Sequence, residues 1–431
     1  MRQTLVLLTV ALTVLVVAAR PARAADAWFE LKDFGPVTQR VAVTVENPAD
    51  VPVEAALVHI PMAELRRTLP EARVGQVCVV DPNNPRNNAT TQPRRDRANE
   101  HFVAHQVSNR TLIFALPLKA KEKKQLYVYT APQRLNMPGF PPKTAWDDRY
   151  AYRSFENNLI AYRMETGPGA NTMGFGMDAF GKTREGRGLR LVEAYEHGHD
   201  SYHKLAFWGV DILKVGHGPA IGGAYVFAAG EQSGRPQIPT SQVECIYTGP
   251  VETLVRCTAP IQVGGGRNVT LTRLLTLVAD DRTVRDEVRV EGENLDGLQI
   301  GIGIRDLPNG KWTEKADPGY AISAGDSNQP ESGYTSVAIS AVFPKGGFER
   351  VVELDDPKKA KPGFGDGGRA YVLKASKGAD GALTATNRLT MIWNGDGEIS
   401  TPSDLEQACQ RWAAQRDNPI KVTIAQEAEK R

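Results

Sequence analysis

Asn268-Val269-Thr270-Leu271-Thr272-Arg273-Leu274-Leu275-Thr276-Leu277 repeats its apolar residues at every second position rather than at every third or fourth. A period of two is the signature of a strand with one face in a core. The same period recurs in Val37–Val45 (VTQRVAVTV), Lys124–Thr130 (KQLYVYT), Arg149–Phe155 (RYAYRSF), Thr283–Val290, Gly333–Phe343 and Leu389–Trp393. Gly, Pro, Asn and Asp clusters punctuate these runs, and 40 Gly with 28 Pro in 431 residues supply the turns that many short strands need. The predicted fold class is all-β. One helix stands apart near the C-terminus. Thr401 can cap it, Pro402 suits its first turn and Asp404 completes a capping pattern. Leu405, Ala408, Cys409 and Trp412 then share a face, and Asn418-Pro419 ends it.

Working outward, the length is that of about two or three domains. A composition of 41% hydrophobic and 24% charged residues excludes wholesale disorder. Arg2, the apolar run Leu5–Ala19 and Ala22-Arg23-Ala24 have the three-part form of a secretory signal peptide, expected over residues 1–24. The apolar run is shorter than the ~20 residues of a membrane span. Pro and Gly interrupt the strand pattern at Asn136–Thr144 (NMPGFPPKT). A small β-sandwich is therefore expected over residues 25–135. Residues 136–431 have no comparable break and suit two large sheets packed face to face. Asp355–Gly368 reads as a surface loop.

Loss of residues 1–24 removes Arg2, Arg20 and Arg23, leaving 49 basic against 50 acidic residues, a net charge of −1. That balance argues against a nucleic-acid partner and against electrostatic membrane binding. Export places Cys78, Cys245, Cys257 and Cys409 in an oxidising compartment. Cys245 and Cys257 flank the hairpin-like Tyr247–Val251, so they are the preferred disulfide pair; two buried free thiols in adjacent strands is the alternative. No CxxC spacing supports a zinc site. Gly216–Gly223 is followed by strand-like Ala224–Phe227 instead of a helix, which removes the phosphate-cradle reading, and no cofactor is expected.

The densest chemistry lies between Arg149 and Gly223. Arg149 and Arg153 fall on one face of a strand, where they can clamp a carboxylate or sulfate or simply form solvated ion pairs. Downstream, His197, His199 and His203 lie within seven residues, beside Tyr202 and several acids. Their spacing fits no standard metal motif, so no metal is predicted and the three are weak ligand candidates. His203 or Tyr202 can instead serve as a base or acid near neutral pH, and a polar surface loop is the plain alternative.

Several motifs in one order resemble the family catalogued as domain of unknown function 4861. They are Asp147-Asp148-Arg149-Tyr150-Ala151-Tyr152-Arg153, Gly176-Met177-Asp178, Tyr202-His203-Lys204, Gly209-Val210-Asp211-Ile212-Leu213-Lys214-Val215-Gly216 and Gly222-Gly223. Val43–Pro48, Gln106, Leu112–Phe114 and Lys121–Tyr129 resemble its N-terminal portion. The chain departs from the family at Ala206-Phe207-Trp208-Gly209, where a histidine of an H-G-E-G stretch is replaced. The resemblance implies a mutarotase-like β-supersandwich after a small β-sandwich, in exported bacterial proteins associated with carbohydrate degradation. It further implies a carbohydrate ligand on the concave sheet. For elimination from an acidic saccharide, Arg149, Arg153 or Lys214 would neutralise the substrate carboxylate and His203 or Tyr202 would move the proton. For hydrolysis, Asp178 and Asp211 would be the carboxyl pair. A non-catalytic sugar-binding protein, with Trp208 stacking on a ring, is the alternative, and a mutarotase or epimerase ranks third.

Overall fold

The computed structural model describes residues 36–83, 102–135, 140–148, 152–165, 175–189, 202–213, 215, 218–228, 242–327, 336–354 and 367–430. The expected signal peptide, residues 1–24, lies outside them. Among the described residues, antiparallel strands dominate, with α-helices only at Met62–Thr68 and Pro402–Asp417. The chain is all-β, as its period of two predicts.

The stretch Asn268–Leu277 falls within a twelve-residue strand, Arg267–Val278. Val269, Leu271, Leu275 and Leu277 are buried, while Thr270, Thr272 and Thr276 line the other face. Arg273 occupies an apolar-phase position and is fully buried. Its Nε donates to Asp286 Oδ1 at 3.0 Å and its Nη1 to the Phe175 carbonyl at 2.5 Å, so the buried charge is met by partners.

The described strands form five sheets. The nine-stranded sheet runs from Gln242–Tyr247 through Glu252–Val263, Arg267–Val278, Val284–Gly292, Leu383–Trp393, Ser336–Val342 and Tyr320–Asp326 to Lys311–Lys315. A four-stranded sheet and a five-stranded sheet pack on its inner face around one shared core. Each fully buried Leu, Ile, Val or Phe there contributes about 1.5–3 kcal/mol before conformational entropy is subtracted. On the outer face, Leu405, Ala408, Cys409 and Trp412 of helix Pro402–Asp417 cover Tyr320, Ile322, Val342 and Ile392. The helix starts with the expected capping box: Thr401 Oγ1 accepts from the Asp404 amide at 3.1 Å, and Asp404 Oδ2 accepts from the Thr401 amide at 3.1 Å.

A smaller sandwich precedes this body. Gln39–Glu46 pairs with Lys123–Thr130, and Val53–Pro61 with Thr111–Leu118. Valines and leucines of both sheets meet in a separate core. The boundary read after residue 135 misses one connection, because the late strand Lys421–Ile424 returns to pair with Gln39–Glu46. A local sequence pattern does not reveal a partner so far away in the chain. At the junction, His59 Nε2 lies 2.6 Å from the buried Glu252 Oε2, and Tyr247 donates to Glu252 Oε1 at 2.7 Å.

The expected Cys245–Cys257 disulfide is corrected by the structure, in which all four cysteines are free. Cys257 stands opposite Val243, and Cys245 opposite Val255, so the two thiols are diagonal rather than directly paired. Diagonal positions lie about 7–8 Å apart, beyond the usual reach of a disulfide. The buried Cys257 Sγ instead contacts Met164 Sδ at 3.6 Å.

Candidate functional site

The five-stranded sheet presents one apolar and one polar face. Phe155, Tyr162, Met164, Ala179 and Val210 point into the large core. Strand alternation leaves their neighbours on the other side. Register places Ser154, Arg163 and Asp178 in one cross-strand row, and Glu156, Ala161, Phe180 and Asp211 in the next. Thus the two acids of the sequence motifs reach the same face from separate strands.

Arg163 joins them. Its Nη2 donates to Asp178 Oδ2 at 2.5 Å and lies 3.8 Å from Asp211 Oδ2. The guanidinium sits over the Phe180 ring at 4.9 Å and the Tyr202 ring at 5.3 Å, an arrangement that favours a cation. Asp178 is fully buried and also accepts from the Ala179 amide at 2.8 Å. Asp211 accepts from the Leu213 amide at 3.2 Å. Burial, reinforced by the negative charge of Asp178, pushes the Asp211 carboxyl well above the ordinary range, against Arg163 and the Leu213 amide.

His203 completes the series at the surface. Its Nε2 lies 3.7 Å from Asp211 Oδ2, and 37% of its side chain is exposed. The Tyr202 ring meets it edge-on at 4.3 Å. Arg163 thus stands between both carboxyls, and the raised Asp211 carboxyl is the one that faces the imidazole. Of Asp178, Arg163, Asp211 and His203, only His203 is open enough for a ligand to touch.

The loop that carries His203 is held tightly over the sheet. The Asp211 amide donates to the Tyr202 carbonyl at 2.9 Å, and Ala206 and Gly209 exchange backbone hydrogen bonds at 2.9 and 3.2 Å. Gly209 has φ +147°, and a Cβ there would stand 1.9 Å from the Gly181 carbonyl oxygen. Only glycine allows the strand to come this close. Next to the site, Lys182 is buried and paired with Glu156, and it donates to the Asn157 carbonyl at 2.5 Å. Phe207 is 70% exposed, Leu205 is 48% exposed, and the half-buried Trp208 ring lies 6.4 Å from Phe180.

Of the residues singled out in the sequence, Tyr202, His203, Asp178, Asp211 and Trp208 converge here. Arg153 does not: it pairs opposite Met164, on the face turned away from Asp178, and donates to the Asp148 carbonyl at 3.3 Å. The strand pleat enforces this, since Arg153 and Ser154 must point to opposite sides. Arg149, Lys214, His197 and His199 lie outside the described residues. Among the described residues, no three His, Cys, Asp or Glu side chains converge as a metal-binding group. Sequence reasoning missed Arg163, the central cation. Its signal is a lone arginine in the apolar, period-two segment Ile160-Ala161-Tyr162-Arg163-Met164.

The family described as Domain of unknown function (DUF4861) matches residues 45–422. No curated protein sequence matches. Among solved structures, an α-mannosidase from Enterococcus faecalis V583 is similar over 90% of this chain and 46% of its own, with 9% identity and a TM-score of 0.47. A protein of glycosyl hydrolase family 38 from Enterococcus faecalis is similar over 90% of this chain and 47% of its own, with 9% identity and a TM-score of 0.48. The chain spans about half the length of these two proteins.

Proposed function

The chain belongs to the DUF4861 family, and from that premise we propose that it is an exported carbohydrate-active enzyme. On this reading it cleaves an acidic oligo- or polysaccharide by elimination, with His203 moving the proton. The observation that carries it is the half-exposed His203 imidazole 3.7 Å from the buried Asp211 carboxyl. A solvent-facing imidazole backed by a buried acid suits transfer of a proton to or from a bound ligand. Asp211 acts through His203 and is a positioning residue. Tyr202, in edge contact with the imidazole, is the candidate for the second proton position. The cation that neutralises a uronate carboxylate is assigned to Arg149 or Lys214. Hydrolysis by Asp178 and Asp211 is disfavoured, because flanking a glycosidic bond requires both carboxyls to reach it, whereas Asp178 is fully buried against Arg163. The saccharide class comes from the family resemblance, and export from the segment Arg2–Ala24.

The test is incubation with uronate-containing polysaccharides, recording ultraviolet absorbance of unsaturated products together with new reducing ends. Expected are both signals, with kcat lowered about 10²–10⁴-fold by His203→Gln. Asp211→Asn should lower kcat and displace its pH profile while leaving KM little changed. Reducing ends without absorbance, or full activity of His203→Gln, would refute the elimination reading.

One observation favours a second reading, a non-catalytic sugar-binding protein: Phe207 and Trp208 present aromatic surface beside Leu205 at the site's edge. Calorimetric binding of a saccharide, abolished by Phe207→Ala and Trp208→Ala and accompanied by no product, would establish it.

A further inference from the structure

A cavity that shares no lining residue with the His203 site lies between the small sandwich and the outer face of the nine-stranded sheet. Its volume is about 610 Å³, within the range of small-molecule sites. Val53–Leu57 contribute one wall, strands Val284–Gly292 and Leu383–Trp393 the floor, and the chain after helix Pro402–Asp417 the rim. Gln415 ties the parts together, donating to the Pro52 carbonyl at 2.8 Å and accepting from Arg388 Nη1 at 3.3 Å.

The floor carries an unfavourable charge arrangement. Arg285 and Arg388 stand directly opposite each other in the register of adjacent strands. Like charges at such a position destabilise a sheet. Among the lining residues Asp281 is the single acid, 4.0 Å from Arg388 Nη1, and it is already engaged by the Thr283 amide and hydroxyl at 2.8 and 2.9 Å. Burial lowers the pKa of Arg388, and the Arg285 guanidinium acts in the same sense, against Asp281. Lys345 and Lys374 add two exposed ammonium groups at the mouth. Neither they nor Arg285 forms an ion pair among the described residues. The remaining wall combines the hydroxyl and amide groups of Thr276, Thr384, Thr386 and Asn418 with aliphatic side chains such as Leu57 and Ile420, and has no aromatic side chain. Such a wall suits a hydroxyl-rich ligand and offers no surface on which a nucleobase could stack.

We propose that this junction cavity is a binding site for an anionic saccharide, with Arg285 and Arg388 gripping its carboxylate or sulfate group. The two guanidinium groups supply forked donors for an oxyanion, and the ligand relieves their mutual repulsion. The site shares only a ligand class with the His203 reading and none of its residues.

The test is titration calorimetry on the full chain with hexagalacturonate, a sulfated hexasaccharide and neutral cellohexaose. At least one anionic ligand should bind and cellohexaose should not; which anion binds distinguishes carboxylate from sulfate recognition. Arg388→Gln and Arg285→Gln should each weaken binding about tenfold or more. Because Arg285→Gln removes the like-charge pair without breaking an ion pair, that variant, free of ligand, should melt no lower than the wild type, and up to about 2 °C higher. His203→Gln should bind as the wild type does. Absence of binding by both anionic ligands overturns the proposal, as does undiminished binding by both arginine variants. Binding lost in His203→Gln but kept in the arginine variants also overturns it, while leaving the proposed function standing.

Discussion

Replacing Arg163 by Met tests the electrostatic logic of the site most directly. The side chain is of similar length and apolar, so the change mainly deletes the charge. Arg163 Nη2 lies 2.5 Å from Asp178 and 3.8 Å from Asp211, carboxyls that are 0% and 2% exposed. Removing one partner of a buried ion pair costs about 3–5 kcal/mol, because the remaining charge stays desolvated. A loss of about 3–5 kcal/mol is therefore expected at pH 8. At about 2 °C per kcal/mol, the midpoint should fall by roughly 6–10 °C. The cost must also depend on pH. Arg163 is the charge that lowers the Asp211 pKa, so without it the folded variant holds that proton to still higher pH than the unfolded chain does, and its stability is lost as pH climbs. At low pH, where the raised Asp211 carboxyl is protonated in both proteins, the difference between them should narrow. Urea unfolding at pH 8 and pH 4.5, followed by tryptophan fluorescence and circular dichroism, measures both effects. Asp178→Asn added to Arg163→Met should restore more than half of the loss at pH 8. A loss below about 1 kcal/mol, or one equal at both pH values, would refute the assignment of Arg163 as the counter-charge of this pair.

Other outcomes follow from the same geometry. Because Asp211 has a raised folded-state pKa, the wild type loses stability as pH rises from the unfolded value near 3.8 through the folded one. A carboxamide cannot ionise, so the melting point of Asp211→Asn relative to wild type should increase from pH 4 to pH 8; a difference that is flat or falls with pH contradicts this. Gly209→Ala places a methyl 1.9 Å from the Gly181 carbonyl at a φ of +147°. Overpacking and backbone strain together should cost about 2–5 kcal/mol, and a thermal shift below about 2 °C would show that the strand relaxes freely. Titration of the denatured, unreduced protein with a thiol reagent should count four thiols, matching the free Cys78, Cys245, Cys257 and Cys409; a count of two would restore the disulfide.

Much of the architecture is legible because it is local. Alternation in Asn268–Leu277 fixes a strand whatever its partners, since a side-chain period of two leaves one face apolar. Thr401, Pro402 and Asp404 likewise specify the start of the late helix through contacts within one turn. The acids of the two motifs, Asp178 and Asp211, and the pair Tyr202 and His203 are also visible in the chain by their residue types and order.

Pairing across distant strands is what the linear sequence leaves open. Lys421–Ile424 joins the first sheet across almost the whole chain, and no property of those four residues names Gln39–Glu46 as their partner. Register alone made Cys245 and Cys257 diagonal and left them free. Arg163 reads as one more charge in a strand until Asp178 is placed opposite it and Asp211 one row away. In the same way, Arg285 and Arg388 are ordinary surface charges until their strands align and set like against like on the floor of a cavity. The sequence by itself determined the strand class, the helix cap and the residue types available for chemistry, because each depends on neighbours within a few positions. Which carboxyl is buried, which is raised and which histidine meets solvent was decided only by tertiary structure, because desolvation and charge coupling act through space between strands that are remote in the chain.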